Sequence, residues 1–312
     1  MKRIVHIVEY LALRLLGMVL LVLPLRFTYL TARILGWFTF EVLRVRRGIT
    51  LDNLTRSLGD RYSPDELVEI AGEAYRQIAM TLAEILVFPR LKECLGEIVE
   101  ADEFQPLKKA REDGRGLIVA TCHHGSWEMV GAALAARGIP MVGVGKTQSN
   151  KYVDRFIISR RAFMGYRAIP RGTSVKQLVQ TLRNGEAIGL VSDQDAGGQG
   201  MFVSFFGRPA STPRGPAQLA LKYRVPLFIV ICERICDGRY RLINKELAIG
   251  DDDTVESLTA RISAGFEKII RQHPEQYFWM HRRWKTQVPL APDIDVNPGA
   301  RVNNQENGSI TV

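Results

Sequence analysis

The sequence predicts an α/β fold in which a central, largely parallel or mixed sheet is flanked by helices and preceded by an N-terminal membrane-associated helical segment. Two observations support this prediction. Short apolar runs alternate with helical patterns over the middle of the chain, as expected for strands joined by crossover helices. A long apolar stretch precedes that region, and its length approaches that of a membrane-inserted helix. The 312 residues are enough for one large core or two modest domains.

The N-terminal apolar stretch runs from Tyr10 to Leu25, and Arg14 is its only charged residue. A helix of this length spans about 24 Å, slightly less than a hydrocarbon core of about 30 Å. The next stretch, 27–43, mixes aromatic and charged residues, which favours an interfacial helix. Three arrangements stay open: one spanning helix, a monotopic insertion, or a buried helical pair.

Basic residues are concentrated near the N-terminus. The formal net charge is +9, and residues 1–60 hold nine Lys or Arg against four Asp or Glu. Basic charge beside apolar sequence favours an anionic membrane surface, and no nucleic-acid-binding motif is present. If the first helix spans, the positive-inside rule places the bulk of the chain in the cytoplasm. The residues that set this orientation are Arg26, Arg33, Arg44, Arg46 and Arg47.

Helix and strand signals follow in order along the rest of the chain. A capping box with proline at the first helical position, Ser63-Pro64-Asp65-Glu66, predicts a helix to about Val87, which Pro89 should end. The predicted strands are 116–121, 140–144, 187–192 and 226–231. The predicted helices are 127–137, 150–164, 174–184, 214–223 and about 255–272.

This pattern divides the chain into three parts. We expect a membrane-anchoring helical segment over 1–48, an α/β domain over 49–290 and a flexible polar tail over 291–312.

The segment His123-His124-Gly125-Ser126-Trp127-Glu128 directly follows a predicted strand. Ligands of α/β sheets bind at the carboxyl ends of strands, so His123 stands where a site is expected. Glu128 falls in the first turn of the next helix, where the helix dipole favours its ionised form. An ionised carboxylate can orient an imidazole, which can then take a proton from a hydroxyl. A loop histidine satisfied by backbone is the open alternative, and His124 competes for the role.

Further clusters carry residues suited to binding. Asp193 and Asp195 follow a predicted strand and precede a glycine loop, where they can bind metal, pin arginines or form a turn. The element 202–207 suits the wall of an acyl-chain groove or a core strand. The segment 277–285 suits a membrane interface or a core strand with a basic rim. A basic cluster suits phosphate binding or a solvated helix face, and consists of Lys146, Lys151, Arg155, Arg160, Arg161, Arg167 and Arg171.

Several protein classes are excluded. The four cysteines show neither a CxxC pair nor a regular framework, which favours reduced thiols over disulfides. The five histidines give no familiar metal-binding pattern. Gly145-Lys146-Thr147 imitates the end of a P-loop, but Pro140 stands where that motif requires glycine.

Together these motifs resemble the bacterial lipid A late acyltransferases, the lauroyl/myristoyl transferase family of the HxxxxD/E acyltransferase superfamily. The resemblance covers nearly the whole chain, to about Lys285. His123 to Glu128 is similar to the family's HxxxxE motif. The other matching blocks are Asp193-Gln194-Asp195 with Gly197, Phe205-Phe206-Gly207, and Phe278 to Lys285.

The resemblance implies a glycerolipid acyltransferase-like fold and an activity. A fatty acyl group would pass from acyl carrier protein to a hydroxyl of a lipid A precursor, on the cytoplasmic side of the bacterial inner membrane. His123 would be the general base and Glu128 would orient it, with direct attack on the donor thioester. No metal or nucleotide cofactor is implied.

The resemblance also implies substrate-binding residues. Arg155 and Arg171 would bind phosphate or substrate, and Asp193, with Asp195 beside it, would hold the arginines. A covalent route through Cys122 is a conceivable alternative. Two other functions stay open: acylation of another glycolipid or a lysophospholipid, and non-catalytic binding of membrane lipid.

Overall fold

The computed structural model describes residues 2–101 and 104–288. The strands found in these residues are β1 (Val99–Ala101), β2 (Leu117–Thr121), β3 (Met141–Gly145), β4 (Arg167–Pro170), β5 (Ala187–Val191), β6 (Met201–Phe205), β7 (Arg208–Thr212), β8 (Leu227–Cys236) and β9 (Arg239–Glu246). The helices are α1 (Lys2–Val22), α2 (Leu25–Glu41), α3 (Arg47–Leu58), α4 (Pro64–Lys92), α5 (Leu95–Ile98), α6 (Gln105–Glu112), α7 (Trp127–Ala136), α8 (Lys151–Phe163), α9 (Val175–Arg183), α10 (Gly215–Tyr223) and α11 (Val255–Ile270).

Seven strands form a central sheet in the order β1-β9-β8-β2-β5-β3-β4. All neighbouring pairs are parallel except the β8–β9 hairpin. In the centre, Thr121 of β2 lies opposite Val191 of β5. The residues two positions beyond these strand ends, His123 and Asp193, therefore emerge side by side at one edge of the sheet.

Both faces of the sheet are covered, because alternate residues of a strand point to opposite faces. On β2, Ile118 packs with α9, α10 and α11, whereas Val119 packs with α6, α7 and α8. The strands are consequently continuous apolar runs rather than alternating ones. The predicted α/β class with its largely parallel sheet is confirmed.

The N-terminal helices pack on the outside of this body. The side-chain amide of Asn150, at the start of α8, donates hydrogen bonds to the His6 carbonyl and to the Glu9 carboxylate of α1. By length and composition, α1 is the one helix in residues 2–101 and 104–288 able to cross a membrane. The apolar side chains that α1 and α2 leave exposed include Ile4, Val8, Leu11, Leu15, Met18, Leu30, Ile34, Trp37 and Phe38.

The predicted elements of the sheet and its helices agree with the structure to within about two residues at most ends, and β8 ends five residues later than predicted. The capping box at Ser63 is present and begins α4. The prediction that Pro89 ends this helix is wrong, because α4 continues to Lys92. Phe88 and Leu91 are fully buried on either side of the proline, so tertiary packing outweighs its missing backbone hydrogen bond.

Some elements were not predicted, namely α3, α5, α6, β1, β4, β7 and β9. The predicted boundary at residue 48 falls inside α3, and the division into domains stays a prediction. The predicted tail, 291–312, and the boundary at 290 lie outside the described residues.

Candidate active site

His123 and Asp193 form a close pair at the carboxyl ends of β2 and β5. The ring Nδ1 of His123 lies 2.8 Å from Oδ1 of Asp193, and the backbone N–H of His123 donates to Oδ2 at 3.1 Å. An ionised carboxylate only accepts hydrogen bonds, so the proton of a neutral ring resides on Nδ1. Nε2 then keeps its lone pair, and its neighbour is the side-chain amide of Gln194 at 3.5 Å.

Glu128 does not contact His123 by a hydrogen bond. Its two carboxylate oxygens accept from the Arg161 guanidinium at 2.6 and 2.9 Å, and Tyr166 donates to it at 2.9 Å. The expectation that Glu128 orients His123 is therefore wrong, and Asp193 takes that place. The physical reason is that α7 begins at Trp127, so the first helical turn directs Glu128 towards α8 and β4.

Both carboxylates are held in the ionised form. Burial alone would raise the pKa of Asp193, but the opposing effects of the His123 ring and the backbone N–H groups leave this pKa below its usual range. Burial would likewise raise the pKa of Glu128, yet Arg161 and Tyr166 lower it on balance. The site thus contains two buried anions, each with its own donors.

The C-terminal segment presses on the histidine loop. The Phe278 N–H donates to the His123 carbonyl at 2.9 Å, and the Gly125 N–H donates to the Gln276 carbonyl at 3.0 Å. The His123 ring lies between Trp127 and Phe278, with centroids 5.2 and 5.7 Å away. Motifs that are about 150 residues apart in the sequence therefore meet at one site.

A cavity of about 480 Å³ opens beside this pair, within the size range of small-ligand pockets. His123, Glu128 and Arg161 lie on its polar side. The remainder is largely apolar, and small residues keep it open between sheet and helices. Its lining includes Ile78, Leu82, Ile85, Gly131, Met141, Gly143, Ile157, Ala168, Gly189 and Phe278.

The other residues expected to bind substrate are only partly brought together. Arg171 lines the cavity, whereas Arg155 is exposed on α8 and does not line it. Asp193 holds His123 rather than an arginine, so the expected arginine network around it is absent in residues 2–101 and 104–288. The Asp195 carboxylate accepts hydrogen bonds from the backbone and hydroxyl of Thr286, which anchors the C-terminal segment.

Burial bears on two alternatives that the sequence left open, namely His124 and Cys122. His124 is completely buried, its ring lies 3.8 Å from Glu233, and it does not line the cavity. Cys122 is also fully buried, and burial raises the pKa of its thiol well above the usual value. Such a thiol stays protonated, which argues against a covalent route.

Two apolar motifs turn out to serve packing. Phe205 and Phe206 are buried around a β6–β7 hairpin and contact Tyr277, Trp279 and Trp284 rather than the cavity. Within 277–285, Tyr277, Trp279, Arg283 and Trp284 are buried, so these four side chains belong to the core rather than to a membrane interface. Among residues 2–101 and 104–288, no group of three His, Cys, Asp or Glu side chains is placed to bind a metal.

A buried polar network that the sequence did not reveal lies beneath the histidine loop. Glu84 of α4 and Arg234 of β8 form an ion pair at 2.7 Å, and both side chains are at most 2% exposed. Ser126 donates to the other Glu84 oxygen at 2.6 Å, and Tyr240 donates to the first at 2.7 Å. The network therefore connects α4 and the sheet to the loop between His123 and Glu128.

We predict that Gly131→Ala disturbs the Glu128 site. A Cβ at this position would lie 2.7 Å from the ring of Tyr166, whose hydroxyl donates to Glu128. Overpacking of this kind costs about 1–3 kcal/mol of unfolding free energy, and acyl transfer should fall with it. Chemical denaturation in detergent measures the first effect. Gly96→Ala is the matched control, because nothing lies within 4 Å of its Cβ. Equal stability of the two variants would contradict the prediction.

The fold and the site together define an α/β protein in which a histidine–carboxylate pair opens onto an apolar cavity. The family model described as bacterial lipid A biosynthesis acyltransferase matches residues 2–286. The chain belongs to this acyltransferase family, which confirms the resemblance seen in its motifs.

Individual relatives are distant and cover most of the chain. The phosphatidylinositol mannoside acyltransferase of Mycolicibacterium smegmatis is 26% identical over 74% of this chain and 77% of its own length. The lipid A biosynthesis palmitoleoyltransferase of Escherichia coli is 26% identical over 81% of this chain and 83% of its own length. The lipid A biosynthesis lauroyltransferase of the same organism is 27% identical over 60% of this chain and 61% of its own length.

Proposed function

We propose that this protein transfers a fatty acyl group from acyl carrier protein to a hydroxyl of a lipid A precursor. The observation that carries the proposal is the His123–Asp193 pair, which leaves Nε2 of the ring available beside an apolar cavity. The O-acyltransferase class follows from the family. The acceptor is chosen from relatives that act on lipid A, while a relative that acts on phosphatidylinositol mannoside makes that glycolipid the second candidate.

His123 is the proposed general base. Its Nε2 takes the proton of the acceptor hydroxyl, and the oxygen attacks the thioester carbonyl of the donor. The new ester C–O bond forms as the C–S bond breaks, and the imidazolium returns its proton to the departing thiolate. Asp193 keeps the ring in the required tautomer and stabilises its transient charge. No acyl-enzyme is formed.

Glu128 and Arg161 have a positioning role in this proposal. Their ion pair joins the first turn of α7 to α8, and both line the cavity. Arg161 remains charged, because Glu128 offsets its burial and raises its pKa. The Glu128–Arg161 ion pair thus fixes the part of the cavity wall where α7 meets α8, and neither residue forms a hydrogen bond with the His123 ring.

The apolar part of the cavity is the proposed site of the acyl chain. Gly131, Gly143 and Gly189 line this part of the cavity, and their missing side chains let the Tyr166 ring pack against Gly131 and the Met141 side chain against Gly189. The exposed apolar side of α1 and α2 is the proposed membrane contact, with the catalytic body on the cytoplasmic side of the inner membrane. The basic residues beside these helices suit an anionic lipid surface.

The test is acyl transfer by detergent-purified full-length protein. The donors are acyl carrier proteins that carry acyl groups of several chain lengths. The acceptor is a tetraacylated lipid A precursor, a phosphatidylinositol mannoside or a lysophospholipid. Mass spectrometry detects a product that is heavier by one acyl group, and heat-inactivated protein is the blank. A product on the lipid A precursor is expected. A product on another acceptor alone would overturn the proposed acceptor, and no product on any would overturn the reaction.

A further inference from the structure

A second, smaller cavity lies beside the catalytic one, at the carboxyl ends of β3 and β5. Its volume is about 100 Å³, enough for a few waters or one compact anion. Val144, Arg171 and Val191 line both cavities, so the two adjoin. We call it the side cavity; its other lining residues include Ser192, Gln199, Arg214, Gly215 and Pro216.

The side cavity is electropositive. Arg171 and Arg214 are its charged lining residues, and no Asp or Glu lines it within residues 2–101 and 104–288. Neither guanidinium has an ion-pair partner in that part of the chain, and the Nε of Arg214 is buried without a hydrogen bond. Arg171 is exposed to solvent, whereas Arg214 is partly buried, and its unpartnered Nε is unfavourable unless an acceptor such as an anion reaches it.

Two further groups point to the same ligand. Ser192 lines the side cavity and is 1% exposed, and its hydroxyl is buried without a hydrogen-bond partner. A buried unpaired hydroxyl is costly and usually has a partner when the protein is at work. Helix α10 begins at Gly215 without a side-chain cap, so its positive end also faces this space.

The surrounding structure holds the arginines in place. The backbone N–H of Arg171 donates to the Gly145 carbonyl at 2.8 Å, which fixes it at the end of β3. The buried Arg283 donates to the Ser211 carbonyl at 2.7 Å and to the Thr212 hydroxyl, just before Arg214. The arginines therefore stand on rigid backbone, as a preformed anion site requires.

We propose that the side cavity is a phosphoryl-binding subsite, formed by Arg171, Arg214, Ser192 and the start of α10. Guanidinium forks, a hydroxyl and a helix N-terminus together match a tetrahedral, dianionic or diester phosphate. The inference rests on the proposed function for the molecule that brings the phosphate. That molecule is the phosphopantetheine arm of the donor or the phosphorylated headgroup of the acceptor.

Direct binding is the first test and needs no catalysis. Radiolabelled orthophosphate is dialysed against the full-length protein in detergent at fixed ionic strength. We expect saturable binding that Arg214→Gln and Ser192→Ala each weaken, by about 10- to 100-fold for the arginine. Arg214→Lys should recover part of it. Arg183→Gln is the matched control, because it removes the same charge from an exposed position. No saturable binding, or equal binding by all variants, would overturn the subsite.

Kinetics distinguish the two sources of phosphate. Donors are acyl-phosphopantetheine and acyl-pantetheine, and the acceptor is used with and without its phosphate. If the donor fills the subsite, Arg214→Gln raises KM about 10- to 100-fold for acyl-phosphopantetheine alone. If the acceptor fills it, the rise is confined to the phosphorylated acceptor. A KM that rises equally for substrates with and without the phosphate would overturn the subsite. Phosphate binding without any acyl transfer would instead overturn the proposed function and leave the subsite standing.

Discussion

Asp193→Asn is expected to lower kcat for acyl transfer by about 10²–10⁴-fold, with a smaller effect on KM. The asparagine cannot stabilise an imidazolium, and its amide can donate to Nδ1 and so force the wrong tautomer of His123. His123→Ala should lose at least as much. The double variant should be little worse than either single one, because the two residues act as a unit.

The measurement is single-turnover transfer from radiolabelled donor, which separates chemistry from product release. Asp252→Asn is the control for the lost charge, because Asp252 is exposed and far along the chain from the site. Glu128→Gln discriminates between the two carboxylates. Full activity of Asp193→Asn together with severe loss in Glu128→Gln would return the orienting role to Glu128.

Arg234→Met is expected to lower the free energy of unfolding by about 3–5 kcal/mol. The substitution leaves Glu84 buried as an unpaired charge, although Ser126 and Tyr240 still donate to it. Burial would lower the pKa of Arg234, but Glu84 raises it on balance, so Arg234 keeps its charge although it is fully buried. Because Ser126 belongs to the histidine loop, acyl transfer should also fall.

Denaturant unfolding in detergent, followed by tryptophan fluorescence, measures this stability. Arg56→Met is the matched control, since its ion pair with Asp52 is more than half exposed and worth at most about 1 kcal/mol. Adding Glu84→Gln to Arg234→Met should recover part of the loss, because the uncompensated charge is removed. Equal stabilities of Arg234→Met and Arg56→Met would show that the buried pair contributes little.

The strands β2, β3, β5 and β8 of the sheet were predictable because their signals are local and redundant. Buried parallel strands such as β2 and β5 are short, continuous apolar runs, and each is followed by turn residues. Strand β9 was not predicted, because charged residues interrupt its apolar residues in the sequence. The Asp237-Gly238 turn before it, a strong hairpin signal, would have identified it.

The position of His123 at the site was predictable, but the carboxylate that contacts it was not. Counting along the chain placed Glu128 near His123, yet the direction of the first turn of α7 decides what it touches. Asp193 is 70 residues away and reaches His123 through the parallel register of β2 and β5. Arg161 and Arg171 resembled their neighbours in a basic cluster, and only the tertiary structure separates them from exposed Arg155.

The N-terminal helices lie beside the cavity that His123 lines. A largely apolar groove of about 390 Å³ lies between α1, α2 and α4, and Ile78 and Leu82 of α4 line both this groove and the cavity at His123. An acyl chain that arrives along α1 and α2 would thus pass from lipid to enzyme without crossing water. Turnover would then follow the mole fraction of acceptor within the bilayer rather than its bulk concentration, so diluting it with inert lipid would slow the enzyme at constant total substrate.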